Sequence, residues 1–510
     1  MPEADSAAPG WRAARDLPII AGLCAVVLLV YANALSASFQ FDDFNVIVNN
    51  PRVHGLAAWW RELPSIRPLL KLSYALNWMA SPQAWGFHVL NIGIHTINTV
   101  LVWAWAALCL RQLQPERAIP RWAPIAVALL FALHPAATEA VTYVSGRSLS
   151  LMASFYLASL LAHAIGREQA RPGLSLLLSP LLFALALAVR ETAVTLPLAI
   201  LLLAWCRGRP LRDELYALRV HLAVLALAAV AAAAMPAYRA FFSWSLGTRD
   251  ALAQIASQIE AHSYLLLHTV LGLGTNIDPD LRVPTAVSAT LLASALGLAI
   301  SIAFALGARR RWPWLSFGLL WYLLQLAPSN SLLPRFDLAN DRHLYLALPG
   351  IALAMVALTL RLPWRWLALT LLLAALACLG FASVRRNDEY RTELALWQAT
   401  VPASPNKPRA WINLGYARQL SGDRAGARLA YACALEIDPD NAQAITNLAV
   451  LDASRAIDAT VVPTNSPVRS IRARVSEPGY LLACAALLCD TGAIAASSRF
   501  LLISGSNRHV

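Results

Sequence analysis

LPIIAGLCAVVLLVYANAL, Leu17 to Leu35, is followed almost at once by FQFDDFNVIVNNPRV, Phe39 to Val53. The first stretch carries no charge and approaches the ~20 apolar residues that cross a bilayer as a helix. The second sets two adjacent carboxylates, Asp42 and Asp43, at the mouth of that helix, among Phe39, Phe41 and Phe44. An isolated acid pair in a loop is ordinarily solvated surface. Its place here, among aromatics at a membrane face, points instead to a cavity where a lipid-borne and a water-borne substrate meet.

The chain has 510 residues, 58% apolar and 14% charged, against ~25% charged in soluble domains. An integral membrane protein of all-α class follows, since helices satisfy every backbone group inside lipid. Apolar runs at 17–38, 85–110, 121–138, 148–165, 173–189, 192–206, 219–237, 286–308, 314–329, 343–360 and 364–383 predict about eleven spans. Arginines orient them. Arg12 and Arg15, then Arg111, Arg117 and Arg121, then Arg167 and Arg171, then Arg207, Arg209, Arg212 and Arg219, then Arg309 to Arg311, then Arg361 and Arg365, fall on one side. Arg385 and Arg386 run mildly against the pattern. The expected arrangement is a cytoplasmic N-terminus (1–16), a membrane domain (17–384) and everything later on the other face, with the first outer loop (39–84). The net charge of +12 is thus a topology signal, and no nucleic-acid partner is expected. The first run is too long for a signal peptide core and is read as retained.

Of the seven cysteines, Cys24 and Cys378 lie inside apolar runs and Cys109 and Cys206 near run ends. They read as small hydrophobes. Cys484 and Cys489 are a candidate pair. The first outer loop predicts a short amphipathic helix, Val53 to Glu62, with Trp59, Trp60 and Arg61 at headgroup level, and a second interfacial helix, Arg67 to Ala80. In the loop 238–285, residues 251–274 predict an interfacial or re-entrant helix bearing Glu260, His262 and His268.

Composition changes near Asn387. Lys407 to Asp440 is 34 residues long and carries Trp411, Leu414-Gly415, Ala427, Ala434 and Pro439, the tetratricopeptide pattern at its period. Thr392 to Asn406 reads as the second helix of a preceding repeat, and Asn441 to Ser454 begins another. The expected repeat domain is 387–456, and the tail, 457–510, is left unassigned.

Three more clusters share the outer face. HPAATEAVTYVSGRS holds His134, Glu139 and Arg147, costly near lipid unless they line a wet cavity; the structural alternative is a turn capped by His134 and Pro135. Arg190-Glu191 is either a local ion pair or a phosphate ligand, for which a guanidinium fork is suited. APSNSLLPRFDLANDRHLYLALPG holds Asn330, Arg335, Asp337, Asp341, Arg342, His343 and Tyr345. Arg342 is the leading candidate for a lipid-phosphate clamp, against a snorkelling interfacial arginine. No nucleotide loop, dinucleotide glycine motif, zinc set or Ser-His-Asp arrangement occurs.

FDDFNVIVNNPRV, Arg67-Pro68-Leu69, GFHVLNIGIHTINTVLV, HPAATEAVTYVSGR, RETAVTLPL and PSNSLLP…NDRHLYLALPG, followed by repeats, stand in that order. Over residues 17–454 the chain resembles the transmembrane and tetratricopeptide-repeat O-mannosyltransferase-like family, including its bacterial members. These look like C-type glycosyltransferases, related to the protein O-mannosyltransferases. The resemblance implies a donor sugar on a polyprenyl or dolichyl phosphate and a hydroxyl acceptor on a protein or glycan, bound through the repeats. It implies a catalytic acid in the first outer loop, favouring Asp42 with Asp43 as helper. The family's related enzymes carry Asp-Glu there; this chain has Asp-Asp, which leaves the helper's role open. Arg67, His134, Glu139, Arg147, Arg190, Glu191, Arg342 and Tyr345 are the expected phosphate- or substrate-binding set.

The expected activity is therefore transfer of a sugar, with mannose favoured, from the lipid carrier. The expected place is a bacterial inner membrane, with the site and repeats on the non-cytoplasmic side and membrane lipid as neighbour. No metal and no cofactor beyond the donor are expected, because the donor's phosphate is already an activated leaving group. Two rivals remain: a non-catalytic scaffold gathering an envelope or export assembly through its repeats, and a lipid or solute transporter.

Overall fold

Long runs of Leu, Ala and Val make most of the described residues helical. The computed structural model describes residues 13–272 and 274–458. No strand occurs among the described residues, so the fold is all-α. The helices are α1 (Ala13–Val30), α2 (Leu56–Arg61), α3 (Pro68–Ala80), α4 (Ala84–Leu113), α5 (Trp122–Ala132), α6 (Thr138–Val141), α7 (Arg147–Glu168), α8 (Ser179–Val189), α9 (Leu196–Cys206), α10 (Leu211–Ala217) and α11 (Arg219–Ala234). There follow α12 (Pro236–Thr248), α13 (Ala251–Leu271), α14 (Ala289–Ala308), α15 (Pro313–Leu326), α16 (Leu348–Thr359), α17 (Arg365–Glu389), α18 (Glu393–Ala403), α19 (Pro408–Leu420), α20 (Arg424–Ile437) and α21 (Ala442–Asp458).

Each of the eleven apolar runs carries a helix. Among the described residues, α4, the stretch Val144–Glu168, α14 and α17 are long and apolar enough to cross a membrane singly. The α5 pair with Pro135–Val141 and the α10–α11 pair, bent by 55° and 61°, bring the number to six if each is one span. Asp16–Val30, Leu174–Val189, Glu191–Cys206 and Leu348–Thr359 are shorter apolar helices.

The central helices are less apolar than the peripheral ones and more buried: within the most apolar stretch of each, 61% of α4 and 67% of the Val144–Glu168 helix is buried, against 11% of α14 and 22% of α17. The central pair is joined by polar side chains at a nearly constant offset. Arg147 Nε donates to Asn91 Oδ1 at 2.6 Å, Asn98 Nδ2 to the Ser150 carbonyl at 2.7 Å, and the Gln112 amide to the Glu168 carboxylate. So α4 and α7 run side by side in one direction, and their starts and ends lie at the same two levels. Where α15 meets α16, Gly318 and Gly350 face each other, and a Cβ on either would clash with the other's carbonyl. Small residues let backbones approach this way in membranes.

The first outer loop departs from expectation in detail. In place of one helix from Val53 to Glu62 there is a turn at Pro51–Val53, a break at Gly55, and the short α2. The second helix begins at Pro68, whose fixed φ suits a first helical position. Its Leu70, Tyr74, Ala75 and Asn77 are buried, so it is built into the core rather than lying on it. Residues 251–271 form one continuous helix, capped by Asp250 on the Leu252 and Ala253 amides.

The chain divides into two compact units, one of residues up to 275 and 281–388, the other of 276–280 and residues from 389. In the second, α18 to α21 pack in sequence. Gly415 lies where any Cβ would strike the Tyr431 ring. The segment 276–280, far away in sequence, belongs to this unit. Arg409 grips Asp278 with two hydrogen bonds of 2.8 and 2.6 Å, and Asn276 Nδ2 donates to Ser404 Oγ at 2.5 Å. The tail with Cys484 and Cys489 lies outside the described residues.

Candidate functional site

The two acids of the first outer loop have different surroundings. Gln40 and Asp43 close a turn reciprocally: the Asp43 amide donates to the Gln40 carbonyl at 2.8 Å, and the Gln40 amide donates to Asp43 Oδ2 at 3.0 Å. The Ser145 amide and hydroxyl both donate to Asp43 Oδ1, at 2.8 and 2.5 Å. Asp43 is fully buried, and burial pushes its carboxyl up to about 7, ahead of the lowering by these bonds. Asp42 is partly exposed, and no donor among the described residues reaches its carboxylate. Its amide donates to the Tyr143 hydroxyl at 3.1 Å. Phe41, just before it, sits at φ 42°. That is the left-handed region, which a bulky residue enters only at a cost of ~1–3 kcal/mol. The strained residue sits inside the turn that buries Asp43 and leaves Asp42 open.

The turn His134 to Ser148 supplies Asp43's partner and more. Gly146 permits it: a Cβ there would collide with the Glu139 carbonyl. Glu139 is buried and accepts from the Arg342 amide at 3.0 Å, while Arg342 Nε lies 3.6 Å from its other oxygen. The Arg342 guanidinium also donates to Asn340 Oδ1 at 3.0 Å and stands 5.9 Å from the Tyr143 ring centre. Asp42 and Arg342 therefore both approach Tyr143.

Arg67, at φ 54°, donates from Nε and Nη2 to the Glu191 carboxylate at 2.9 to 3.1 Å, and the Tyr238 hydroxyl donates to the same group at 2.9 Å. So Glu191 pairs with Arg67 across 124 positions and not with its neighbour Arg190. Arg190 is buried. Its Nη1 donates to Ser148 Oγ at 2.6 Å, and its Nε finds no acceptor. Burial, then the cations of Arg67, Arg335 and Arg342, press its proton affinity well down. Arg335 is brought down to about 10 by burial and by Arg67. The charges of three arginines thus act on Arg190, while Glu139 and Glu191 are bonded to Arg342 and Arg67 and the charges of Asp42 and Asp337 also act on Arg342. Such a place attracts a phosphate.

Three expected members have other duties. Arg147 is fully buried. It donates to Asn91, Asn77, and the Ser73 and Phe87 carbonyls, with Tyr74 and Phe87 rings 5.1 Å away. It ties α3, α4 and α7 together, with four of its five N–H donors engaged in these bonds. Tyr345 is buried, and its hydroxyl meets His95 Nδ1 at 2.8 Å and Asn98 Nδ2 at 3.0 Å. His134 takes the capping alternative, its Nδ1 accepting from the Ala136 amide at 3.2 Å. It also borders an apolar crevice of about 270 Å³ between α5, α13, α16 and α17. Tyr143, Ser145 and Arg335 lie in the quoted motifs but were outside the expected set. Nothing in their spacing distinguishes them from neighbours.

No known family profile matches the chain, and no solved structure matches it. Curated proteins do. Tmtc1 of Drosophila melanogaster is 34% identical over 211 residues, covering 38% of this chain and 23% of the relative. Its curated relatives are protein O-mannosyl-transferases. F38B6.6 of Caenorhabditis elegans is 25% identical over 451 residues, 82% of this chain and 63% of the relative. Human TMTC3 is 29% identical over 202 residues, 36% of this chain and 20% of the relative. The chain spans under a quarter of the Tmtc1 and TMTC3 relatives and under two thirds of the nematode one. The resemblance drawn from the ordered motifs is to these same TMTC proteins.

Proposed function

We propose that the protein is a membrane glycosyltransferase. It moves a sugar, mannose by the names of its relatives, from a polyprenyl- or dolichyl-phosphate carrier to a hydroxyl of a protein or glycan. The observation that carries this reading is the partly exposed Asp42 carboxylate, which no donor among the described residues reaches, beside Arg342 and the buried Arg190 whose Nε finds no acceptor. Asp42 takes the acceptor hydroxyl proton. The hydroxyl oxygen attacks the anomeric carbon, and the carbon–oxygen bond to phosphate breaks, its electron pair leaving with the phosphate. Arg190, Arg335 and Arg342 take up that charge. Glu139 fixes Arg342, Asp43 fixes the loop that presents Asp42, and Arg67 with Glu191 braces the wall. The cations supply the charge stabilisation a metal would otherwise give, so no cofactor is invoked. The apolar crevice beside His134 suits isoprene units of the carrier. The helices from α18 onward serve the acceptor, on the non-cytoplasmic face of a bacterial inner membrane. The deciding experiment is transfer from a polyprenyl-phosphate sugar by membranes holding Asp42→Asn. A loss of ~100-fold or more with normal protein levels supports the reading; unchanged transfer overturns it.

A further inference from the structure

The far ends of the central helices hold a second polar feature. An open cleft of about 500 Å³ is lined there by Arg111, Gln112, Glu168, Arg207 and Arg209. A narrow recess beside it adds Arg167, His163 and Glu214. With α7 spanning 22 residues at ~1.5 Å each, the cleft lies about 30 Å from Arg147, one hydrocarbon thickness away. It is at the opposite membrane face from Asp42, among the loops whose arginines mark the cytoplasmic side.

Four guanidiniums meet two carboxylates here, and both carboxylates are engaged. Glu214 Oε1 lies 2.6 Å from His163 Nε2, and Glu168 accepts the Gln112 amide. No hydrogen bond or ion pair among the described residues engages the side chains of Arg111, Arg167, Arg207 or Arg209. Arg207 is half-buried, and burial, then neighbouring Arg209, lowers its proton affinity. Glu168 and Glu214 oppose that shift, but two carboxylates against four guanidiniums leave the cleft net positive.

We propose that this cleft holds the phosphate of an anionic phospholipid head group. Guanidinium forks match phosphate oxygens in pairs, Leu108 adds an apolar wall, and the cleft sits at headgroup level between helix ends, where basic pockets take such lipids. A free phosphate shares the chemistry, so the test separates the two.

The full-length protein, delipidated in neutral detergent, is titrated with phosphatidylglycerol or phosphatidylcholine and bound lipid is counted by native mass spectrometry. Phosphatidylglycerol is expected to bind in preference. The double variant Arg207→Gln/Arg209→Gln is expected to weaken it about tenfold or more, and Arg111→Gln alone by less. Arg171→Gln/Arg212→Gln removes the same charge from the same face away from the cleft and leaves binding unchanged. Arg207→Lys/Arg209→Lys keeps the charge but not the fork, serves as the folded control, and is expected to lose less binding than the glutamine pair. If millimolar inorganic phosphate displaces the lipid and binds alone, the lipid is overturned as the ligand in favour of a soluble phosphate. Equal losses in the two double glutamine variants, or none in either, overturn the proposal.

Discussion

Ser145 donates twice to Asp43, from amide and hydroxyl, across 102 positions of sequence. The contact pins the first outer loop to the start of α7. It also sets the two acids apart: Asp43 is bonded and buried, and Asp42 is left partly exposed.

Ser145→Ala removes the hydroxyl donor to a buried carboxyl. A hydrogen bond to such a group is worth ~1.5–3 kcal/mol, so unfolding in detergent is expected to come earlier by about 2 kcal/mol. Transfer should fall as well, because Asp42 loses its fixed position. Thermal unfolding and a transfer assay on the same preparation check both.

Asp43 also predicts a pH dependence. Its folded carboxyl titrates near 7, above the ordinary value near 4, so the folded state holds the proton more tightly. The stability from this group is full below about pH 4, falls as pH rises towards 7, and is flat beyond. The melting temperature of the protein should decline across that window relative to Asp43→Asn. Parallel melting curves for the two proteins would sink the idea.

Arg147→Lys is expected to destabilise by ~3–5 kcal/mol, since an ammonium cannot reach two asparagines and two carbonyls at once. The fraction that folds should keep its KM for the lipid-phosphate sugar. A raised KM with normal stability would return Arg147 to the binding set.

Arg335→Gln should do the reverse. The side chain is partly exposed and no hydrogen bond among the described residues engages it. Stability should hold within ~0.5 kcal/mol, while KM for the donor rises about tenfold. Steady-state kinetics against donor concentration, beside a melting curve, distinguishes the two effects.

Gly146→Ala places a methyl against the Glu139 carbonyl. Both Ser145 and Arg147 must shift, so we expect a loss of ~1–3 kcal/mol and low transfer. A variant as stable and active as the parent would show that the turn can open.

The motifs at Asp42-Asp43, Glu139, Arg190 and Arg342 could be picked out in sequence because charges are rare in this chain and fall beside apolar runs. Their partners could not. Arg190-Glu191 read as a local pair, yet Glu191 is held by Arg67. Arg147 and Tyr345 read as ligands, yet both are core. A polar residue near lipid must be satisfied, but sequence does not say whether protein or substrate satisfies it.

The sequence by itself determined an all-α membrane chain with an acid pair at a helix mouth, because hydropathy and charge act residue by residue. The tertiary structure alone decided which acid is buried and which partner each arginine takes. Those depend on partners such as Ser145, 102 positions from Asp43, and Arg342, 203 positions from Glu139, and no local pattern records who arrives.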